Sequence, residues 1–129
     1  MKTLRFTLAA LVLFLSSTAH AACNLVAMEV TNIKGFSVTP SQCVYDQVLG
    51  ASGTAESVAV PAGAGTVVFS GTDVFYATFS GTETAAVPAS DTAGGGSVLN
   101  PQVRSLTGVP NISLVAPSAG TIVSLEFFK

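Results

Sequence analysis

Side chains able to do acid–base, nucleophilic or metal chemistry are sparse in this chain of 129 residues: one histidine, two cysteines and seven carboxylates. The histidine, His20, sits in Ala19-His20-Ala21, an A-x-A cleavage site that follows a positive n-region (Lys2, Arg5) and the apolar run Leu8 to Leu15. That run is far short of the roughly 20 apolar residues that cross a bilayer. Residues 1–21 therefore read as a Sec signal peptide cut between Ala21 and Ala22, and 22–129 as one small domain. With the leader removed no imidazole remains. A Ser-His-Asp or Cys-His machinery within the chain is excluded, and so is the commonest zinc ligand.

Cys23 and Cys43 are the only thiols. An exported chain meets an oxidising environment where pairing is the default, and a bridged pair is neither nucleophile nor thiolate ligand. The competing role for Cys23 is acylation directly after His20-Ala21-Ala22, which would attach the chain to a membrane. Lipoprotein signals usually carry Leu three places before the cysteine, where His20 stands, and lipidation would leave Cys43 unpaired.

The carboxylates suggest little more. Glu83 and Asp91 are the pair that a glycosidase reading would use, but solvated loop acids account for them better, since nothing aromatic accompanies them to grip a sugar. Asp91 lacks the DxDxDG spacing of a calcium loop, and Asp73 is expected to cap its own turn. Asn111-Ile112-Ser113 matches a glycan acceptor pattern that also arises by chance. Gly94-Gly95-Gly96 precedes no predicted helix, so it is not a phosphate-cradling loop. No catalytic, metal or cofactor residue is assigned.

What remains is contact. Arg104, the one base between Lys34 and Lys129, is expected on an edge strand, where charge discourages pairing with another chain. Its functional reading is an interface anchor beside Tyr76 or the 81–101 loop. Tyr76, Asp91, Asn100 and Arg104 are the candidate contact residues. Beyond the leader three bases (Lys34, Arg104, Lys129) face seven acids, a net charge of −4. There is no basic patch for nucleic acid or anionic lipid.

Strands must position these residues, because no segment past the leader shows a 3.6-residue period. Thr66 to Thr82 dominates: Val67-Val68-Phe69 and Val74 to Phe79 flank the turn formers Ser70-Gly71-Thr72-Asp73, which predicts a hairpin. Val67 and Phe69 share one face of its first strand, and Phe75, Ala77 and Phe79 one face of its second. Upstream, Leu25 to Val30 and Ile33 to Val38 read as short strands, and Cys43 to Leu49 as another tied back by the bridge. Glu56 to Val60 alternates until Pro61 ends it. Gly81 to Pro101 is a long irregular loop, functional or mobile by its length.

Val103 to Leu106 reads as a short edge strand, and Asn111 to Ala116 as a strand with Ile112 and Leu114 on one face. Thr121 to Lys129 places Val123, Leu125 and Phe127 on one face against Ser124 and Glu126. Seven to nine short strands punctuated by Gly and Pro predict an all-β fold, a small Ig-like or jelly-roll-like β-sandwich. A small β-barrel is the nearest rival.

The order VPAGA (60–64), FYATFSGT (75–82), AAVPASDTAGGGSVLNP (85–101), RSLTGV (104–109) and ISLVAPSAGTIVSLEFF (112–128) resembles small β-rich structural proteins of tailed bacteriophages and prophages, over about residues 60–129. The resemblance implies a non-enzymatic, virion-associated or particle-surface subunit. A leader and a disulfide depart from that pattern, because tailed phages assemble in the cytoplasm. The cysteine pair, low charge and aromatic Phe127-Phe128 end are also similar to pilin-like secreted subunits that complete each other by strand donation. There Gly120 is rather close to the end, and Phe128 replaces the usual penultimate tyrosine.

The sequence thus predicts an exported, non-enzymatic structural or surface-interaction subunit, periplasmic, extracellular or on a particle surface. It is expected to meet a protein partner, or its own copies, through strand edges and the 81–101 loop, with no nucleic acid and no membrane unless Cys23 is lipidated. The alternatives are a pilin-like or adhesin-like subunit, and a periplasmic ligand-binding module whose long loop closes on a small molecule or glycan.

Overall fold

A computed structural model of the chain describes residues 23–27 and 43–129. The leader with its cleavage residues Ala19, Ala21 and Ala22 lies outside them, as do the strand expected over Ile33 to Val38 and most of the one over Leu25 to Val30. Residues 25–27 of the latter are described and are not strand.

Eight antiparallel strands are present: β1 (Val44–Leu49), β2 (Glu56–Ala59), β3 (Thr66–Gly71), β4 (Tyr76–Thr78), β5 (Val98–Leu99), β6 (Val103–Ser105), β7 (Asn111–Val115) and β8 (Thr121–Phe128). They form two four-stranded sheets, ordered β1-β8-β3-β6 and β2-β7-β4-β5. The expected all-β sandwich is the fold, and the two separate sheets replace the single closed barrel.

The last strand organises the first sheet. β8 pairs with β1 from Val44↔Glu126 to Leu49↔Thr121, and with β3 from Thr66↔Phe128 to Gly71↔Val123. Alternation along it sends Val123, Leu125 and Phe127 inward, where all three are buried, and leaves Ile122 39% exposed on the outer face. They meet Leu49, Val67 and Phe69 of their own sheet and Val58, Ala77, Ile112 and Leu114 of the other in one core. Phe69 lies 6.1 Å from the Phe75 ring and edge-on to Phe79 at 5.8 Å. Tilted and edge-on contacts of this kind suit the ring quadrupole.

The predicted hairpin is corrected. Its inner faces are as expected, but β3 and β4 lie in different sheets, so Ser70-Gly71-Thr72-Asp73 carries the chain across the sandwich instead of back along the same sheet. Thr72 N–H donates to Ile122 O and Ile122 N–H to Thr72 Oγ1, which holds the exit of β3 against β8. A Cβ on Gly71 would lie 2.8 Å from the Phe75 ring. Glycine there lets the ring fold over the strand end as the chain crosses.

The 81–101 stretch is irregular except for β5, a two-residue strand that pairs with β4 at the sheet margin. It is tied across the outer face of the second sheet. Thr78 Oγ1 donates to Glu83 O, Ala85 N–H to Ser113 Oγ and Ala86 N–H to Ser97 Oγ. Ala85 and Val115 are both buried, so the first part of the loop is a cover over β7.

The Cys23–Cys43 disulfide is formed. It brings 23–27 beside the end of β8, where Lys129 N–H donates to Val26 O at 2.8 Å and Leu25 packs against the core.

Candidate functional site

β3 outruns its edge partner. Its register with β6 ends at Val68↔Val103, and Phe69 N–H donates to Gln102 O at 2.7 Å just beyond. From there the chain leads back through Pro101, which has no N–H to continue the ladder. Ser70 and Gly71 consequently have only β8 as a sheet neighbour. The space left holds a cleft of about 210 Å³ between residues 69–71, Asp73, Phe75 and residues 100–102, with the buried Phe69 and Phe75 among its lining.

Asn100 fixes one wall. Its φ of 39° is the only left-handed backbone at a residue other than glycine among the described residues, and asparagine tolerates that region better than most side chains. Its N–H donates to Phe75 O at 2.9 Å, and its Oδ1 accepts Phe75 N–H at 2.8 Å. Because the Phe75 donor demands an oxygen, the amide orientation follows from the network, and Nδ2 keeps its two protons for other partners. Asp73, two residues before Phe75, also lines the cleft; its Oδ1 accepts the adjacent Val74 N–H at 2.7 Å, which leaves Oδ2.

Asn100→Val is expected to lower stability by about 2–3 kcal/mol, combining a lost hydrogen bond with a β-branched residue at positive φ. Asn100→Gly loses the bond alone and should cost about 1 kcal/mol. Urea unfolding of the two variants checks this. Equal losses would show that the left-handed backbone carries no cost.

The structure does not gather the four contact candidates into one place. Asn100 lines the cleft, and Tyr76, next to Phe75, opens β4, half-buried and paired in the ladder with Leu99 of β5 and Val115 of β7. Asp91 is exposed in the long loop. Arg104 is exposed on β6, at the margin of the other sheet, with its guanidinium donating to Val103 O at 3.1 Å. That is where an edge charge was expected. Glu83 is exposed like Asp91, and among the described residues no group of three or more His, Cys, Asp or Glu side chains is placed to hold a metal. No helix among them is long and apolar enough to cross a membrane.

Two features escaped sequence reasoning. Asp73 and Gln102 line the cleft, and no local pattern marks them, because the cleft exists only where β6 stops short of β3. The other is β1, whose Val44, Tyr45 and Val48 are 53%, 43% and 52% exposed, with Ile122 beside Val48 in the ladder. Asp46, between the two valines, is hydrogen-bonded to Ser124 Oγ. Gln47 Nε2 and Gly50 N–H donate to the Glu56 carboxylate, which ties the margins of the two sheets together. Compared with protein-family models, with curated protein sequences and with solved structures, the chain matches none.

Proposed function

We propose that the protein is an exported, non-enzymatic structural or surface-interaction subunit that works by contact, through the β1 edge and its outer face. The observation that carries this reading is the character of β1. Among the described residues the sheets end on β1, β6, β2 and β5, of six, three, four and two residues. Soluble proteins blunt such edges by shortness, lysine or proline. β6 is short and carries Arg104, and β2 runs into Pro61. β1 is the longest and presents Val44 and Val48 on its outer face with Ile122 alongside Val48, while Tyr45, 43% exposed, lies on the opposite face of the strand at the edge. Clustered apolar side chains at a strand edge are a surface for another protein.

Subunits completed by a donated strand leave an unfilled place in a sheet. Here β8 is bonded on both sides, to β1 and β3, so pairing at β1 extends a sheet that is already built, which favours lateral association over strand donation. The resemblance to virion-associated β proteins supports a role on a particle. The leader and the bridge support assembly at or beyond the inner membrane, and the exposed part of the 81–101 loop offers a second contact.

Sedimentation velocity and electron microscopy of the mature, oxidised chain test this. Wild type is expected to form oligomers or particles, and Val48→Lys to stay monomeric, because a lysine on the edge opposes pairing. A wild type that sediments as a monomer at every concentration would overturn the reading, as would a V48K chain that assembles equally well.

A further inference from the structure

We propose that the cleft at the end of β3 binds a single neutral sugar ring. The site is distinct from the β1 edge and lies at the opposite margin of the same sheet, so the two readings stand or fall separately.

Charge narrows the ligand first. Asp73 is the only ionisable group lining the cleft, and no lysine or arginine joins it. An anion would meet a lone carboxylate, and a divalent cation would lack the several oxygen ligands it needs. What remains suits a neutral molecule with many hydroxyls. Asp73 Oδ2 accepts, Asn100 Nδ2 donates, and the Gln102 amide and the Ser70 hydroxyl do both. Each sugar hydroxyl also donates and accepts, so a carboxylate and an amide lining one cleft can engage neighbouring hydroxyls. Charge-assisted bonds to Asp73 would be the stronger of them.

Size and stiffness agree. At about 210 Å³ the cleft is smaller than the roughly 300–1,000 Å³ of pockets that enclose drug-sized ligands. It has room for one ring with its neighbours in solvent, as in a glycan held by one unit. Asn100 is fixed to Phe75 by two hydrogen bonds, one from its own N–H to Phe75 O and one from Phe75 N–H to its Oδ1. A wall held this way needs little ordering when the ligand arrives.

The test titrates the ¹⁵N-labelled mature chain with the methyl glycosides of glucose, galactose, mannose and N-acetylglucosamine, and with glucuronate as the charged comparison. The V48K chain is run alongside, so that self-association neither broadens the spectra nor confuses the two readings. At least one neutral glycoside is expected to shift the amides of residues 70–75, 100 and 102 with millimolar affinity, and glucuronate to bind more weakly. Gln102→Ala and Asp73→Asn should each weaken binding by about tenfold, the loss of one good hydrogen bond, while V48K leaves it unchanged. Three results would overturn the proposal: no shift at these amides with any neutral glycoside, binding that both cleft variants leave intact, or glucuronate binding more tightly than the neutral rings.

Discussion

Truncating Phe127 to alanine is expected to lower the unfolding free energy by about 3–5 kcal/mol. A domain of this size holds only about 5–15 kcal/mol in total, so the variant should lie close to the edge of unfolding at room temperature. The size of the effect comes from the position of β8. Phe127 points into the core from a strand that β1 and β3 hold on both sides, and its own N–H donates to Cys43 O at 2.9 Å. A strand pinned by two ladders cannot shift to fill the space a lost ring leaves, so most of the cavity cost persists. Ile122→Ala, on the outer face of the same strand, should cost about 1 kcal/mol or less. Urea midpoints at an unchanged m-value make the comparison. If Ile122→Ala proved the more damaging, β8 would be one residue out of register, because a single slip exchanges its faces.

That inward face was legible from residues 121–129 alone, because Val123 to Phe127 alternates strictly between apolar and polar side chains. β7, with Ile112 and Leu114, was legible for the same reason, and β2 ended at Pro61 because proline cannot join the ladder. Strand partners were a different matter. Val67, Phe69, Phe75, Ala77 and Phe79 announce which way they face, but alternation does not say which strand lies alongside. The turn formers between them fit a hairpin as well as a crossing. The choice was made some fifty residues later by β8, which takes the edge of β3 that a hairpin would have given to β4. The contact residues were least legible of all. Asn100 was singled out, yet the roles of Asp73 and Gln102 arise from where β6 stops, and the exposure of Val44 and Val48 depends on β1 standing at a margin.

Cutting the covalent tie at Cys23 is expected to cost about 3 kcal/mol, the loop-closure effect for the 20 positions that separate it from Cys43. Cys23→Ala is the informative variant. Cys23 is exposed, whereas Cys43 is buried and behaves as a small apolar side chain once it is free. The substitution therefore removes the cross-link with little disturbance of packing. Residues 23–27 would then depend on Leu25 against the core and on the bond from Lys129 N–H to Val26 O. Those contacts are too few to offset the ordering of five residues at about 1–2 kcal/mol each. The segment should detach, and exchange at the Lys129 amide should quicken more than at Leu125 in the middle of β8. Adding reductant to the wild type during urea unfolding should lower its midpoint to that of Cys23→Ala. Two titratable thiols in the native protein would show that the bridge is not formed, and a midpoint indifferent to reductant would show that it adds no stability. A shift of the expected size would mean that the chain loses a large share of its stability wherever the bridge is reduced.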